Sequence, residues 1–277
     1  MIDGLPTTVG LIGLGNMGLP MATNMVAAGL ELVVYDVNEQ PMSALAELGA
    51  AVAGSPREVG ERCDIIGTVV VDDAQVEDVL LGSNDKGVLH GARPGSVIII
   101  HSTVRPETCV RLATLAAARG VDLLDAPVSG GAYGARAGTL SVMVGGKADV
   151  VGRCRAVFDA IGSHWFHMGE VGMGQIAKIV NNHISLVTRE AVREGLRVAT
   201  LAGINEQRML EVARASSADS FTVRNWEAME QEIAGHPGGP AVLLNVAYKD
   251  LQLALSVGHR VGASLPLAAV ASQVLST

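Results

Sequence analysis

Residues 8–25 read Thr8-Val9-Gly10-Leu11-Ile12-Gly13-Leu14-Gly15-Asn16-Met17-Gly18, then Leu19-Pro20-Met21-Ala22-Thr23-Asn24-Met25. This stretch decides the fold. Thr8–Ile12 is a nearly continuous apolar run of strand length, and helical spacing follows from Asn16 to Ala28, closed by Gly29. Between them stand Gly13, Gly15 and Gly18 in the pattern Gly-x-Gly-x-x-Gly. In a strand–turn–helix unit the first glycine makes the tight turn, the second lets the backbone approach a pyrophosphate, and the third lets helix and strand pack closely. The helix start adds free N–H groups and the positive end of its dipole. Gly13, Leu14, Gly15, Asn16, Met17 and Gly18 are therefore the expected cofactor-binding loop. Asp36 ends the next apolar run, 23 residues after Gly13, where an acid accepts hydrogen bonds from the adenosine ribose hydroxyls. Tyr35-Asp36-Val37-Asn38-Glu39 offers no cation to a 2′-phosphate, so NAD is expected in preference to NADP.

Working outward, Leu32–Tyr35, Ile65–Val71, Val97–His101 and Val121–Asp125 repeat the strand-length apolar pattern, with helix candidates at Pro41–Leu48 and Pro106–Arg119. Runs that are apolar throughout, rather than at alternate positions, mark strands buried on both faces of a parallel sheet. Thr139–Val144 and Ser163–Met168, flanking a helix at Asp149–Ile161, extend that sheet. After Met168 the pattern changes. Gly172–Leu201 reads as one long helix with apolar residues at Ile176, Ile179, Val180, Ile184, Val187, Ala191 and Val198. Helical stretches follow at Glu206–Ser216, Ala241–Val261 and Leu267–Leu275, interrupted by Gly235-His236-Pro237-Gly238-Gly239-Pro240, with no strand signal. The fold class is α/β, an N-terminal Rossmann-type doubly wound sheet over 1–169. An all-α domain over 170–277 follows, joined to it by a long interdomain helix.

Composition narrows the function. The 277 residues carry a formal charge of −8, which argues against a nucleic-acid or anionic-membrane partner. No apolar run approaches the roughly 20 residues of a membrane span, and the N-terminal stretch lacks a basic n-region, so a cytoplasmic setting is expected. Hydrophobic residues make up 49% but aromatics only 3%, while 33 residues are glycine, so the core is built from aliphatic side chains with close backbone packing. Cys63, Cys109 and Cys154 form no pair or metal-binding spacing and read as reduced, buried thiols. Asp72-Asp73 has no third ligand in view, and no metal is expected.

Two further segments carry polar chemistry. Asp125-Ala126-Pro127-Val128-Ser129-Gly130-Gly131 ends a strand, and its hydroxyl and bare backbone N–H groups suit a small anion or a tight connecting turn. In Gly172-Met173-Gly174-Gln175-Ile176-Ala177-Lys178-Ile179-Val180-Asn181-Asn182, helical spacing gathers Lys178, Asn181 and Asn182 on one face, with Gly174 a turn earlier. An ammonium and two amides there suit a bound polar group or a solvated face.

Taken with Gly138–Gly146, GTLSVMVGG, and Lys249–Ala254, KDLQLA, these segments resemble the β-hydroxyacid dehydrogenase family, the group of 3-hydroxyisobutyrate dehydrogenase and tartronate semialdehyde reductase. The resemblance covers nearly the whole chain. It implies a nicotinamide-dependent oxidoreductase with Lys178 as the catalytic lysine and Asn182 as the amide beside it. Ser129, Gly130, Gly131 and Asn181 would bind the substrate, and Thr103 would lie near the nicotinamide end of the cofactor. Val70, Val71 and Gln75 would line the cofactor, and Lys249, supported by Asp250, would reach towards the nucleotide. The implied substrate is a small anionic 3-hydroxy acid or semialdehyde, and the implied assembly a homodimer or homotetramer. Reduction of tartronate, succinic or glyoxylic semialdehyde is the rival activity, and a non-catalytic NAD(H)-sensing module is a rival of another class. Lys178 sets the chain apart from imine-reducing relatives, which carry Asp or Tyr there. Val242 stands where members often have an aromatic, and Val70-Val71 where they often have Leu-Pro. Gly174 is expected to clear space beside Lys178. His164 and His167 read as surface or packing residues, and Arg189, Arg193 and Arg197 as a solvated or subunit-facing ion-pair stripe.

Overall fold

The computed structural model describes residues 7–236 and 238–275. Residues 1–6 of the N-terminal stretch and Pro237 of the Gly/Pro-rich break lie outside them. The chain divides into two compact units, Met1–Lys178 and Ile179–Thr277.

The first unit contains nine strands among the described residues: β1 (Thr8–Ile12), β2 (Glu31–Tyr35), β3 (Ala51–Val52), β4 (Ile65–Thr68), β5 (Val97–Ile100), β6 (Asp122–Asp125), β7 (Val128–Ser129), β8 (Leu140–Gly145) and β9 (Gly162–Gly169). Between them run α1 (Gly18–Ala27), α2 (Glu39–Glu47), α3 (Pro56–Arg62), α4 (Asp73–Leu81), α5 (Val88–Gly91), α6 (Pro106–Ala117), α7 (Gly131–Ala137), α8 (Ala148–Arg153) and α9 (Arg155–Ile161). The strand order is β3-β2-β1-β4-β5-β6-β8-β7, with β9 on β8. Pairing is parallel from β3 to β6, and β8 runs antiparallel to β6 and β7. The first six positions are the Rossmann order, whose direction reverses between β1 and β4 and opens a crevice at the carboxyl ends of those strands.

The apolar runs do what their pattern requires. Val97 and Ile99 face one core cluster with Val9, Leu11, Val34 and Ile65, whereas Ile98 and Ile100 face a second with Ile12, Val33 and Ile66. Successive side chains of one strand thus enter opposite cores, which only a sheet covered on both faces allows.

Some boundaries differ from those the sequence suggests. The run Ile65–Val71 leaves the sheet after Thr68, because the Val70 N–H donates to Ser102 Oγ at 2.8 Å instead of to a strand. Val121 precedes β6. The expected helix Asp149–Ile161 is two, meeting at Cys154. The short β3 and β7 and the capped α3 and α4 had no readable apolar period.

The second unit holds most of α10 (Met173–Leu201), whose first six residues belong to the first unit, and then α11 (Glu206–Arg214), α12 (Phe221–Arg224), α13 (Trp226–Ala234), α14 (Pro240–Val261) and α15 (Pro266–Leu275). Every described element after β9 is a helix. Its small cores gather Leu196, Leu210, Val223 and Trp226, then Ile179, Leu253 and Ala254, then Leu251, Ala268 and Ala271. In the stripe expected to be solvated or subunit-facing, Arg189 is not solvated. It is 3% exposed, and its guanidinium lies 2.8 Å from Glu230 on α13, a partner 41 residues away that helical spacing cannot reveal. Arg193 pairs with Glu190 at 3.1 Å. His164 stacks on Phe166, and His167 Nε2 lies 2.7 Å from the Gly146 carbonyl oxygen.

Candidate active site

The glycine loop is built as its spacing requires. Gly13 has φ +93°, a region open to glycine and strained for other residues, and its N–H donates to the Tyr35 carbonyl oxygen at 3.0 Å. A Cβ on Gly18 would overlap the Gly13 carbonyl oxygen, so helix and turn close on each other there, whereas a Cβ on Gly15 would meet nothing within 4 Å. Gly15 therefore presents an open backbone surface. Behind it α1 starts at Gly18, after Leu14, Gly15, Asn16 and Met17, with no side-chain cap and no acid in its first turn. A helix start without a side-chain cap beside an open glycine is the cradle a pyrophosphate needs. Asp36 is built into the same loop. Its Oδ2 accepts the Leu14 N–H at 2.6 Å and its Oδ1 accepts the Asn38 N–H at 2.8 Å. Each carboxylate oxygen keeps a second lone pair for a ribose hydroxyl. These residues fit a nicotinamide dinucleotide.

The expected cofactor-lining loop is held from both ends. Ser102 Oγ takes the Val70 N–H, and Gln75 Oε1 takes the Val71 N–H at 3.0 Å. Asp72 Oδ1 accepts the Gln75 N–H at 2.9 Å, so Asp72 and Gln75 form a reciprocal cap that starts α4. Asp73 takes the N–H of Arg105 at 3.0 Å and the hydroxyl of Thr108 at 2.6 Å. The Asp72-Asp73 pair is thus spent on helix starts.

Thr103 lies between Ser102 and Val104, just past β5. Both neighbours are tied to one side chain, Gln175, which is fully buried. Its Nε2 donates to the Ser102 carbonyl oxygen at 2.8 Å, and its Oε1 accepts the Val104 N–H at 3.1 Å. Ser129 ends β7, and Gly130 and Gly131 start α7 with φ +134° and +63°. The acid that opens this motif, Asp125, has a structural task. Fully buried, it accepts the N–H of Gly172 at 2.6 Å and of Gln175 at 2.7 Å, capping α10. Burial raises its pKa, and the backbone N–H groups pull the other way. Gly174 does not clear space beside Lys178. A Cβ there would collide with Asp125 and with the Met143 carbonyl oxygen, so its smallness seats α10 on the sheet.

Lys178 lies in α10 and is 8% exposed. Asn181 and Asn182 follow at i+3 and i+4 on the same continuous helix. Within the second unit, Asn182 Nδ2 donates to Asp250 Oδ2 at 2.7 Å, and its Oδ1 accepts from Asn181 Nδ2 at 3.3 Å. Lys249 Nζ is 3.1 Å from Asp250 Oδ1. Asp250 is buried and so links Asn182 with Lys249, which sequence reading placed only beside Lys249.

Asp125 and Gln175 escaped notice as site residues because their partners lie 47 to 73 residues away. The one local sign was a long polar side chain in an apolar first turn.

A glycine cradle at a Rossmann switch point, followed by an all-helical unit, defines the fold class of a nicotinamide dinucleotide-binding protein. The family model described as the NAD binding domain of 6-phosphogluconate dehydrogenase matches residues 8–169. The one described as NAD-binding of NADP-dependent 3-hydroxyisobutyrate dehydrogenase matches residues 172–277. The chain is 38% identical to a 3-hydroxyisobutyrate dehydrogenase of Pseudomonas aeruginosa, over 98% of this chain and 91% of that one. It is 36% identical to the 2-hydroxy-3-oxopropionate reductase of Escherichia coli, over 97% and 90% respectively. The crystal structure of a 3-hydroxyisobutyrate dehydrogenase from Salmonella typhimurium superposes with a TM-score of 0.86 at 31% identity, covering 98% of this chain and 93% of that one. The chain belongs to the β-hydroxyacid dehydrogenase family. It is an oxidoreductase acting on the CH–OH group of a small hydroxy acid with a nicotinamide dinucleotide. No helix among the described residues is long and apolar enough to cross a membrane.

Proposed function

We propose that this enzyme moves a hydride between NAD(H) and a short 3-hydroxy acid or its semialdehyde, with Lys178 as general acid and base. The observation that carries this reading is the buried Lys178, one helical turn before an Asn182 whose amide is fixed by Asp250. When bound, the nicotinamide donates or accepts the hydride. The Lys178 ammonium protonates the substrate oxygen on reduction, and the neutral amine takes that proton back on oxidation, a contribution of about 10²–10⁴-fold. One Asn182 amide hydrogen is held by Asp250, and the other donates to the same oxygen, stabilising charge that develops there. Ser129 with the Gly130 and Gly131 backbone holds the substrate carboxylate, Asn181 is a further substrate-binding residue, and Thr103 stands at the nicotinamide end. Val70, Val71 and Gln75 shape the cofactor wall, and Lys249, beside Asp250, is a further cofactor-binding residue.

Asp36 and the absence of a cation from residues 35–39 support NAD over NADP. The reading divides the chain into a cofactor domain, 1–169, and a substrate and dimerisation domain, 170–277, a division supported by the two family-model spans. Val180, Ile184 and Val198 are 48%, 61% and 67% exposed. They lie on one face of α10, a stripe of the kind that two copies bury against each other, supporting a homodimer or homotetramer. The three free, buried thiols support a reducing, cytoplasmic setting.

The test is a panel of 3-hydroxyisobutyrate, L-serine, and tartronate, succinic and glyoxylic semialdehydes, each with both cofactors. The expected result is highest kcat/KM for a 3-hydroxy acid or its semialdehyde with NAD(H). A higher kcat/KM with NADP(H) would overturn the cofactor preference. Tight NADH binding without turnover across the panel would favour a sensing module.

A further inference from the structure

We infer that Gln175 is a positioning residue for hydride transfer, an amide that sets the register between Lys178 and the Thr103 loop. The inference rests on the reading of Lys178 and Thr103 given above. Gln175 and Lys178 are three residues apart on α10, an axial rise of about 4.5 Å within a single stiff turn. The Gln175 side chain reaches out of that turn and holds the backbone on both sides of Thr103. Its Nε2 donates to the Ser102 carbonyl oxygen at 2.8 Å, and its Oε1 accepts the Val104 N–H at 3.1 Å. From the same loop Ser102 Oγ accepts the Val70 N–H at 2.8 Å, so the chain of contacts runs on into the cofactor-lining segment. The turn that carries Gln175 is itself fixed, since its N–H donates to the buried Asp125 at 2.7 Å.

The residue type is telling. The site is fully buried, and a leucine or methionine would fill it without the desolvation that a primary amide suffers. What an apolar side chain cannot do is donate to a carbonyl and accept from an N–H at once, one on each side of a single residue. A carboxylate cannot do it either, because both its oxygens accept. An amide meets both demands, and a neutral carboxylic acid meets them only when protonated. A lysine and a cofactor loop joined by two hydrogen bonds through one rigid turn hold the reacting centres in fixed register. Displacements of about 1 Å in such geometry can cost 10²-fold in rate.

This predicts a particular failure when the amide is lost. With Gln175→Leu, kcat falls about 100-fold while NADH affinity, read by fluorescence titration, stays within about threefold. The isotope effect on kcat rises, measured with 3-hydroxyisobutyrate deuterated at its carbinol carbon, or with the panel's better substrate likewise deuterated. Gln175→Glu gives a second readout that a merely structural role would not move. Ionised, that side chain sets an acceptor against the Ser102 carbonyl, and protonated it restores the donor. Its kcat relative to wild type therefore rises at least tenfold as the pH falls from 8 to 6. The proposal is overturned by a Gln175→Leu kcat within about threefold of wild type, or by an affinity loss as large as the rate loss with an unchanged isotope effect. If Gln175→Leu does not fold, the Gln175→Glu ratio decides, and a ratio that is flat with pH overturns the proposal. Lys178→Ala in the same assays separates this from the underlying reading. Near-normal turnover there refutes the role of Lys178, whereas a dead Lys178→Ala beside wild-type-like Gln175 variants refutes the clamp alone.

Discussion

Two of the helices that start in the first unit, α1 and α10, have N-termini treated in opposite ways. At α1 no side chain caps the amides, no acid lies in the first turn, and the adjoining Gly15 is open. At α10 a buried carboxylate, Asp125, takes two of the amides at 2.6 and 2.7 Å. Both ends carry the same partial positive charge and the same unsatisfied donors. The difference teaches where each donor set is used. In the proposed function the bare end takes an anion that comes from outside, and the capped end is closed from within, which fixes the turn carrying Gln175 and leading to Lys178. A protein of net charge −8 binds an anionic cofactor through such local dipoles, because its overall field opposes it.

Opening the capped end has the largest expected effect. Asp125→Ala leaves two buried N–H groups without acceptors, which costs about 3 kcal/mol of stability, read as a lower urea midpoint at unchanged slope. A loss below about 1 kcal/mol would mean that the α10 start is held by something else.

Closing the open end comes next. In Gly15→Asp the new Cβ meets no atom within 4 Å, and its carboxylate brings a negative charge to the start of α1, which has no acid in its first turn. NADH affinity is expected to fall about 100-fold, equivalent to about 2.7 kcal/mol, with a thermal midpoint equal to or above wild type. Unchanged affinity for NADH would place the pyrophosphate elsewhere.

A smaller effect sharpens the contrast between buried and open polar groups. His101, at the end of β5, is fully enclosed, and desolvation lowers its pKa from 6.5 to about 4, the Ala126 carbonyl opposing. With a folded value below the unfolded one, its neutral form contributes stability fully above pH 6.5, and this is lost as the pH falls towards 4. Between pH 7 and pH 5.5 wild type should lose about 1.2 kcal/mol more than His101→Gln. Burial raises the pKa of Asp125 and so gives a slope of opposite sign, but it is present in both proteins and cancels in the difference. Parallel stability–pH curves for the two would contradict the assignment.

Much of this was legible in advance wherever chemistry is local in the chain. The glycine spacing, Asp36 at the end of the second strand, and the change from strand to helix period after Met168 all depend on neighbours within one or two turns. Lys178 and Asn182 needed only helical spacing to share a face. What was not legible depends on partners far along the chain. Asp125 read as the head of a substrate motif, and its task became visible only once β6 and α10 were adjacent. Spacing sets Gly174 beside Lys178, whereas its constraint is the Met143 carbonyl oxygen and Asp125. Arg189 reads as part of a solvated or subunit-facing stripe because Glu230 is 41 residues away. The two-residue strands β3 and β7 are too short to carry a period at all.

The central claim is that Lys178 moves the substrate proton on a scaffold that binds cofactor independently of it. The most direct measurement is turnover and NADH affinity of Lys178→Ala side by side. The expected result is a loss of turnover of about 10²–10⁴-fold with NADH affinity within about threefold of wild type. Turnover within tenfold of wild type would contradict it.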